Sequence, residues 1–252
     1  MKIVVMGGRG LIGSQLVNLL TQQGHEAIPA SPSTGVNAVT GEGLAAVLAG
    51  ADVVVDVTNS PSFADDDVLA FFDTSTKNLL AAEAAAEVGH HVALSIVGCD
   101  RIPDSGYMRA KVAQEKRIQA GSVPYTIVRA TQFHEFLCGI ADASLVDGKV
   151  MLPPAPIQPI AASEVTEFLA EVAGKTPTNE TIDLAGPERL RIDQAVQQAL
   201  TAQGDRRTVT TDPYATYFGT QLKEDSIVPT GAYVKGKQTL TEWLKAATVN
   251  VH

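Results

Sequence analysis

Tyr107 and Lys111 stand four positions apart in Tyr107-Met108-Arg109-Ala110-Lys111, a spacing that puts both side chains on one face of a helix. A phenol with a pKa near 10 exchanges protons poorly at neutral pH, and a neighbouring ammonium corrects this by favouring the phenolate. The pair can then trade a proton with a carbonyl or an alcohol. Ser95 sits near the end of the apolar run before this helix, where its hydroxyl can hold the substrate oxygen. These three are the candidate catalytic residues. They handle protons, so a redox reaction at this site needs a hydride source from elsewhere.

The start of the chain offers one. After the apolar run Lys2–Met6 comes Gly7-Gly8-Arg9-Gly10-Leu11-Ile12-Gly13, which contains GxGxxG read from Gly8. At a strand-to-helix junction one glycine permits the tight turn and another lets backbone N–H groups approach a pyrophosphate. Gly13 lets the helix lie close on the strand, and the helix N-terminus adds partial positive charge. NAD-specific sites of this kind carry an acid about 20 residues on, against the ribose hydroxyls. Here that corner reads Ala30-Ser31-Pro32-Ser33-Thr34, with no acid, and Arg9 in the turn can meet a 2′-phosphate with its guanidinium fork. The expected cofactor is therefore NADP(H).

Positioning these residues requires alternating strands and helices. Nearly continuous apolar runs at Lys2–Met6, Glu26–Ala30, Asp52–Val57, His91–Ile96 and Tyr125–Val128 predict buried parallel strands. Helices are expected at Leu11–Gln23, Gly43–Leu48, Asp73–Val88, with Gly89 as its stop, and Met108–Gln119. The predicted fold is α/β, a Rossmann-type doubly wound parallel sheet over residues 1–150. From about Asp147 the texture changes: Pro153, Pro154, Pro156 and Pro159 interrupt regular structure, and alternation resumes only at Thr181. Residues 151–252 are read as a small C-terminal substrate-binding lobe that is not independent, with a strand at Thr181–Leu184 and helices at Ile192–Gln203 and Thr239–Ala246.

Composition excludes several classes. The 252 residues are 45% hydrophobic and 19% charged, as in an ordinary globular protein, and their formal net charge of −9 makes nucleic acid a poor partner. Cys99 and Cys138 lack disulfide or zinc spacing, and no apolar run approaches a membrane span, so a cytoplasmic protein without direct membrane insertion is expected. Asp65-Asp66-Asp67 reads as a solvated helix start, and His90-His91 lacks a spaced third ligand. No metal is expected.

The glycine turn, Ser95, Tyr107-x-x-x-Lys111 and Tyr125-Thr126-Ile127-Val128-Arg129-Ala130-Thr131-Gln132-Phe133 together resemble an atypical short-chain dehydrogenase/reductase of the NmrA-like, NAD(P)-binding group over essentially the whole chain. The resemblance implies cofactor contacts at Gly7, Arg9, Gly10, Leu11, Ile12, Gly13, Ser31, Asn37, Thr58, Asn59, Lys111 and Thr131. It implies nicotinamide and substrate contacts at Thr131, Gln132 and Phe133, with His134 a further substrate candidate in the same loop, and a structural role for Asn78. Ala130 departs from the proline many relatives carry there. The expected activity is an NADP(H)-dependent oxidoreductase passing hydride to a small carbonyl or quinone-type acceptor. The competing reading is a non-catalytic NADP(H)-binding sensor or accessory protein with a protein partner. A nucleotide-sugar epimerase with a retained NAD is disfavoured by the missing acid near Ser31.

Overall fold

The structure, a computed structural model, describes residues 1–249. In chain order its main elements begin β1 (Lys2–Met6), α1 (Leu11–Gln22), β2 (Glu26–Ala30), α2 (Leu44–Leu48), β3 (Val53–Asp56), α3 (Asp65–Ala85), β4 (His90–Ile96), α4 (Gly106–Gln119) and β5 (Tyr125–Ala130). They continue with α5 (Leu137–Ala143), β6 (Leu145–Val146), β7 (Lys149–Leu152), β8 (Pro156–Ile157), α6 (Ala162–Ala173) and β9 (Glu180–Ala185). Last come β10 (Leu190–Arg191), α7 (Ile192–Ala202), β11 (Val209–Thr211), β12 (Val234–Lys235) and α8 (Leu240–Val249).

A seven-stranded parallel sheet in the order β12-β9-β5-β4-β3-β1-β2 forms the centre, so the expected doubly wound α/β fold is present. All of β3 and four of the five residues of β1 are buried, which is why those sequences are nearly unbroken valine and isoleucine. After β2 the chain makes a short 3-10 turn and an isolated bridge between Asn37 and Glu42, then returns to lay β3 beside β1. The strand order therefore reverses between β1 and β3, and ligands of such sheets bind outside the carboxyl ends of the strands at that reversal.

By internal contacts the chain divides into two interleaved units, not at residue 150. The first comprises Met1–Ser95, Gly106–Arg129 and Val165–Ile182, and the second Ile96–Ser105, Ala130–Glu164 and Asp183–His252. The first holds the regular strand–helix alternation. The second contains a three-stranded sheet, β11-β7-β6, and a two-stranded pairing of β10 with β8.

Among the expected helices, α3 departs furthest from its expected bounds of Asp73–Val88. Helix α3 begins at Asp65, with Asp65, Asp66 and Asp67 in its first turn where acids favour the helix dipole. It ends at Ala85 because Glu87 takes the left-handed conformation (φ 55°) and the Val88 N–H closes the end on the Glu83 carbonyl, so Gly89 is not its stop. Helix α6 was not expected. Its buried Val165, Leu169, Val172 and Ala173 do carry helical spacing, which the preceding prolines obscured.

Candidate active site

The glycine turn is built as its sequence requires. Gly7 has φ of 77°, and its N–H bonds the Ala30 carbonyl at 2.9 Å. A side chain at Gly8 would meet Pro29 Cα at 2.7 Å, and one at Gly13 would meet the Gly7 carbonyl oxygen at 2.2 Å. Gly10 differs, since a methyl there would meet only the Gly7 oxygen, at 3.4 Å. No protein neighbour demands a glycine at this position, which leaves room for something else. Gly10 is also the N-cap of α1 and supplies no side-chain cap. Bare N-terminal amides beside an open glycine suit a pyrophosphate, so the residues fit a dinucleotide. Arg9 and Leu11 are exposed around the turn, whereas Ile12 is buried beneath it.

At the end of β2, Ser31 is buried and its Oγ lies 2.8 Å from Ser33 Oγ, while its N–H donates to Thr34 Oγ1. Asn37 turns its side-chain oxygen onto the Val39 N–H (2.9 Å), and Asn78 clamps the same loop by donating to the Ala38 and Val39 carbonyls. At the exit of β3, Asp56 Oδ1 accepts from both the N–H and the hydroxyl of Thr58. Asn59 Oδ1 accepts from the Ser60 N–H and, at 2.8 Å, from the Tyr107 hydroxyl.

Tyr107 and Lys111 do share a face, because both touch the Phe72 ring. Tyr107 packs against it edge-on at 6.1 Å between centroids, and Lys111 Nζ lies 4.4 Å above its centre. Burial pushes the Tyr107 phenol up to about 12, opposite to the lowering expected from Lys111. The Lys111 ammonium is turned inward, donating to the Leu94 carbonyl (3.0 Å) and to Gln114 Oε1, and the residue is 3% exposed. Ser95 does not join them. Its hydroxyl donates to Glu115 Oε1 at 2.6 Å, and Arg129 grips the same carboxylate. Glu115 lies two turns of α4 beyond Tyr107, about 12 Å along the axis. Ser95 is therefore part of a buried ion-pair network and does not meet the phenol.

The remaining predicted residues belong to the second unit. Thr131 is buried, with its hydroxyl on the Gln158 carbonyl at 2.6 Å and its N–H on Leu184. Gln132 Oε1 is buried and has no hydrogen-bond partner among the described residues. Phe133 stacks on Phe136 at 5.4 Å. His134 is only 2% exposed, with Nε2 3.0 Å from the Pro159 carbonyl and its ring beside Trp243. Burial lowers its pKa to about 4, so the ring is neutral at neutral pH.

The NAD(P)H-binding family matches residues 7–175, which include the glycine turn, Tyr107 and Lys111. The chain belongs to that NAD(P)H-binding family. No curated protein matches the sequence. Among solved structures it is similar to a UDP-glucose 4-epimerase from Thermotoga maritima (15% identity, 100% and 98% of the two chains covered, TM-score 0.76). It is also similar to a short-chain dehydrogenase/reductase superfamily protein from Agrobacterium tumefaciens with bound NAD (15%, 98% and 96%, 0.73). A third is the NADPH-dependent quinone oxidoreductase of Escherichia coli (18%, 83% and 78%, 0.65). At these identities the likeness speaks to the fold. Among the described residues no helix is long and apolar enough to cross a membrane.

Within this NAD(P)H-binding chain, Asp56, Gln114 and Glu115 are site residues that no sequence motif singled out. Asp56 had a visible signal, an acid closing the otherwise all-valine strand Val53-Val54-Val55-Asp56. Gln114 and Glu115 follow Lys111 at helical spacings of three and four, but nothing in the sequence says which partner each would find.

Proposed function

We propose that the protein is an NADP(H)-dependent oxidoreductase that transfers hydride to a small carbonyl or quinone-type acceptor. The observation that carries this reading is the 2.8 Å bond from the Tyr107 hydroxyl to Asn59, on the segment whose Val57 carbonyl walls the Gly7 turn. A proton donor at the rim of a dinucleotide turn suits reduction of a carbonyl. The bound nicotinamide supplies the hydride. Tyr107 gives its Oη proton to the acceptor oxygen as the carbonyl carbon is reduced, and takes one back from water. Asn59 Oδ1 accepts the hydrogen bond of the single phenol proton before substrate binds, so the acceptor oxygen must displace Asn59 to receive it, and the ammonium of Lys111 favours the transient phenolate. Support for the 2′-phosphate comes from the hydroxyls of Ser31, Ser33 and Thr34, the absence of an acid there in the sequence, and exposed Arg9.

A second reading, an NADP(H)-binding sensor with a protein partner, is favoured by the phenol at about 12 and by the inward turn of Lys111. One experiment separates the two: oxidation of NADPH and of NADH against quinones, aldehydes and ketones, for the native chain and Tyr107→Phe. The reductase predicts turnover preferring NADPH, a loss of kcat of about 100-fold or more in the variant, and unchanged cofactor affinity. Cofactor binding with no turnover of any acceptor would assign the sensor.

A further inference from the structure

We propose that Asp56 and Gln114 are positioning residues that hold Lys111 as an oriented ammonium on the helix face it shares with Tyr107. The purpose of that charge rests on the reductase reading; its anchoring does not. An ammonium on a residue 3% exposed is costly unless its N–H groups find acceptors and a carboxylate balances the charge. Lys111 Nζ donates to Gln114 Oε1, Gln114 Nε2 donates onward to Asp56 Oδ2 at 3.1 Å, and Asp56 Oδ1 accepts from Thr58. Gln114 and Asp56 are buried to 1% and 2% exposure. A carboxylate can only accept, so Asp56 dictates which end of the amide faces it, and the other end, the carbonyl oxygen, is thereby aimed at Lys111. The chain of bonds has one direction, set by the acid that closes β3.

The surrounding charges point to the same pairing. On α4, Tyr107 precedes Lys111 by one turn, and Glu115 follows by one turn but is matched by Arg129 of β5. From α3 come the Phe72 ring and Glu83, the latter matched by His91 of β4 at 2.9 Å. From β4 also comes the Leu94 carbonyl, and from β3 Asp56 itself. Asp56 also acts at longer range on His91 and Glu83, and its hydrogen-bonded link to Lys111 runs through Gln114.

The direction of the chain makes the variants specific. In Asp56→Asn one oxygen still accepts from Thr58, but the new NH2 meets the NH2 of Gln114. The amide must turn and present donors to the ammonium. Asp56→Asn with Gln114→Glu restores a group that accepts from both sides, while Gln114→Met cuts the chain at similar volume. The measurement is the 15Nζ shift of Lys111 against pH in lysine-labelled protein, assigned by its loss in Lys111→Arg, together with the pH profile of kcat/KM for NADPH oxidation.

The titration midpoint of Lys111 is expected to fall by about 2 pH units in Asp56→Asn and in Gln114→Met, and to return in the double variant. The high-pH limb of kcat/KM should move with it. An unmoved Lys111 titration in the folded single variants overturns the proposal, and if Asp56→Asn does not fold, Gln114→Met decides alone. If Lys111 moves as expected and the native chain turns over no acceptor, the anchoring stands and the reductase reading fails. Turnover with an unmoved Lys111 gives the reverse.

Discussion

Buried charge is distributed unevenly between the two units. The first buries Asp56, Glu83, Lys111 and Glu115 at 3% exposure or less, together with His91. Among the described residues of the second, the comparable groups are neutral His134 and the carboxylate Asp193, whose partner Arg191 is 45% exposed on its side chain. Regular elements explain the contrast. Strand and helix fix the direction of every Cβ, so a row of side chains on β3 and β4 can meet a row on α3 and α4 in pairs. The second unit uses side chains to satisfy backbone groups instead: Arg101 donates to the Asp225 and Val228 carbonyls, and Glu164 accepts from the N–H groups of Lys237 and Gln238. One unit has a scaffold that can hold paired charges out of water, and the other spends its polar groups holding irregular chain in place.

Breaking a buried pair in the first unit should have the largest effect. Glu83 and His91 are wholly buried, and the Glu83 carboxylate raises the pKa of His91 against the opposing cost of burial. A histidine raised on folding contributes stability that is fully present below its unfolded pKa near 6.5 and is lost as pH rises through the folded value. Glu83→Gln is therefore expected to cost about 3–5 kcal/mol near pH 6 and less at alkaline pH, measured by urea unfolding. Asp193→Asn in the second unit, with its exposed partner, should cost well under that. Equal losses would remove the distinction between the units.

Legibility in the sequence follows the same division. Strands β1 and β2 match their predicted bounds, and the glycine turn has the predicted form, because continuous apolar runs and a GxGxxG each have few structural solutions. The i to i+4 spacing likewise brought Tyr107 and Lys111 to one ring, Phe72. What could not be read was the third dimension of the polar groups. Ser95 looked like a substrate hydroxyl by its place on the strand, but Glu115 meets it across the sheet-to-helix gap, from 20 positions along the chain. Asn59 was expected to touch cofactor and also holds the phenol, from 48 positions away. Neither partnership leaves a local pattern. Irregular segments such as Thr131–His134 hide even more, since their side-chain directions follow no period.

Acid should test whether the partner or the unit decides a buried histidine's behaviour. His134 in the second unit falls to about 4 by burial, and His90 in the first falls to about 4 by burial together with repulsion from His91. Their ring partners are the Pro159 carbonyl and the Thr126 hydroxyl, neither of which carries a charge. Their neighbour His91, with a carboxylate, goes the other way. For His134 the depressed folded pKa means that stability is intact above pH 6.5 and lost as pH falls toward 4, because the unfolded chain takes the proton first. His134→Leu should shrink the stability difference between pH 7 and pH 4 by about 2–3 kcal/mol, after a cost of about 1 kcal/mol at pH 7 for the lost hydrogen bond. An unchanged difference would mean that His134 is protonated in the folded state.

The smallest effect on the fold belongs to the glycine with the largest claim on function. Gly13 in the first unit and Gly186 in the second are required by contacts within the protein, since a methyl would meet the Gly7 oxygen at 2.2 Å or the Pro159 oxygen at 1.8 Å. Alanine at either must displace backbone and should lower the unfolding midpoint. Gly10 meets nothing closer than 3.4 Å, so Gly10→Ala should change stability by no more than about 0.5 kcal/mol. Its methyl would nevertheless stand where a pyrophosphate must approach the bare amides of α1. NADPH affinity, followed by fluorescence titration, is expected to fall by about tenfold or more, equivalent to about 1.4 kcal/mol of binding. Native affinity in a stable Gly10→Ala would make the open side of the turn a structural corner and move the phosphates elsewhere.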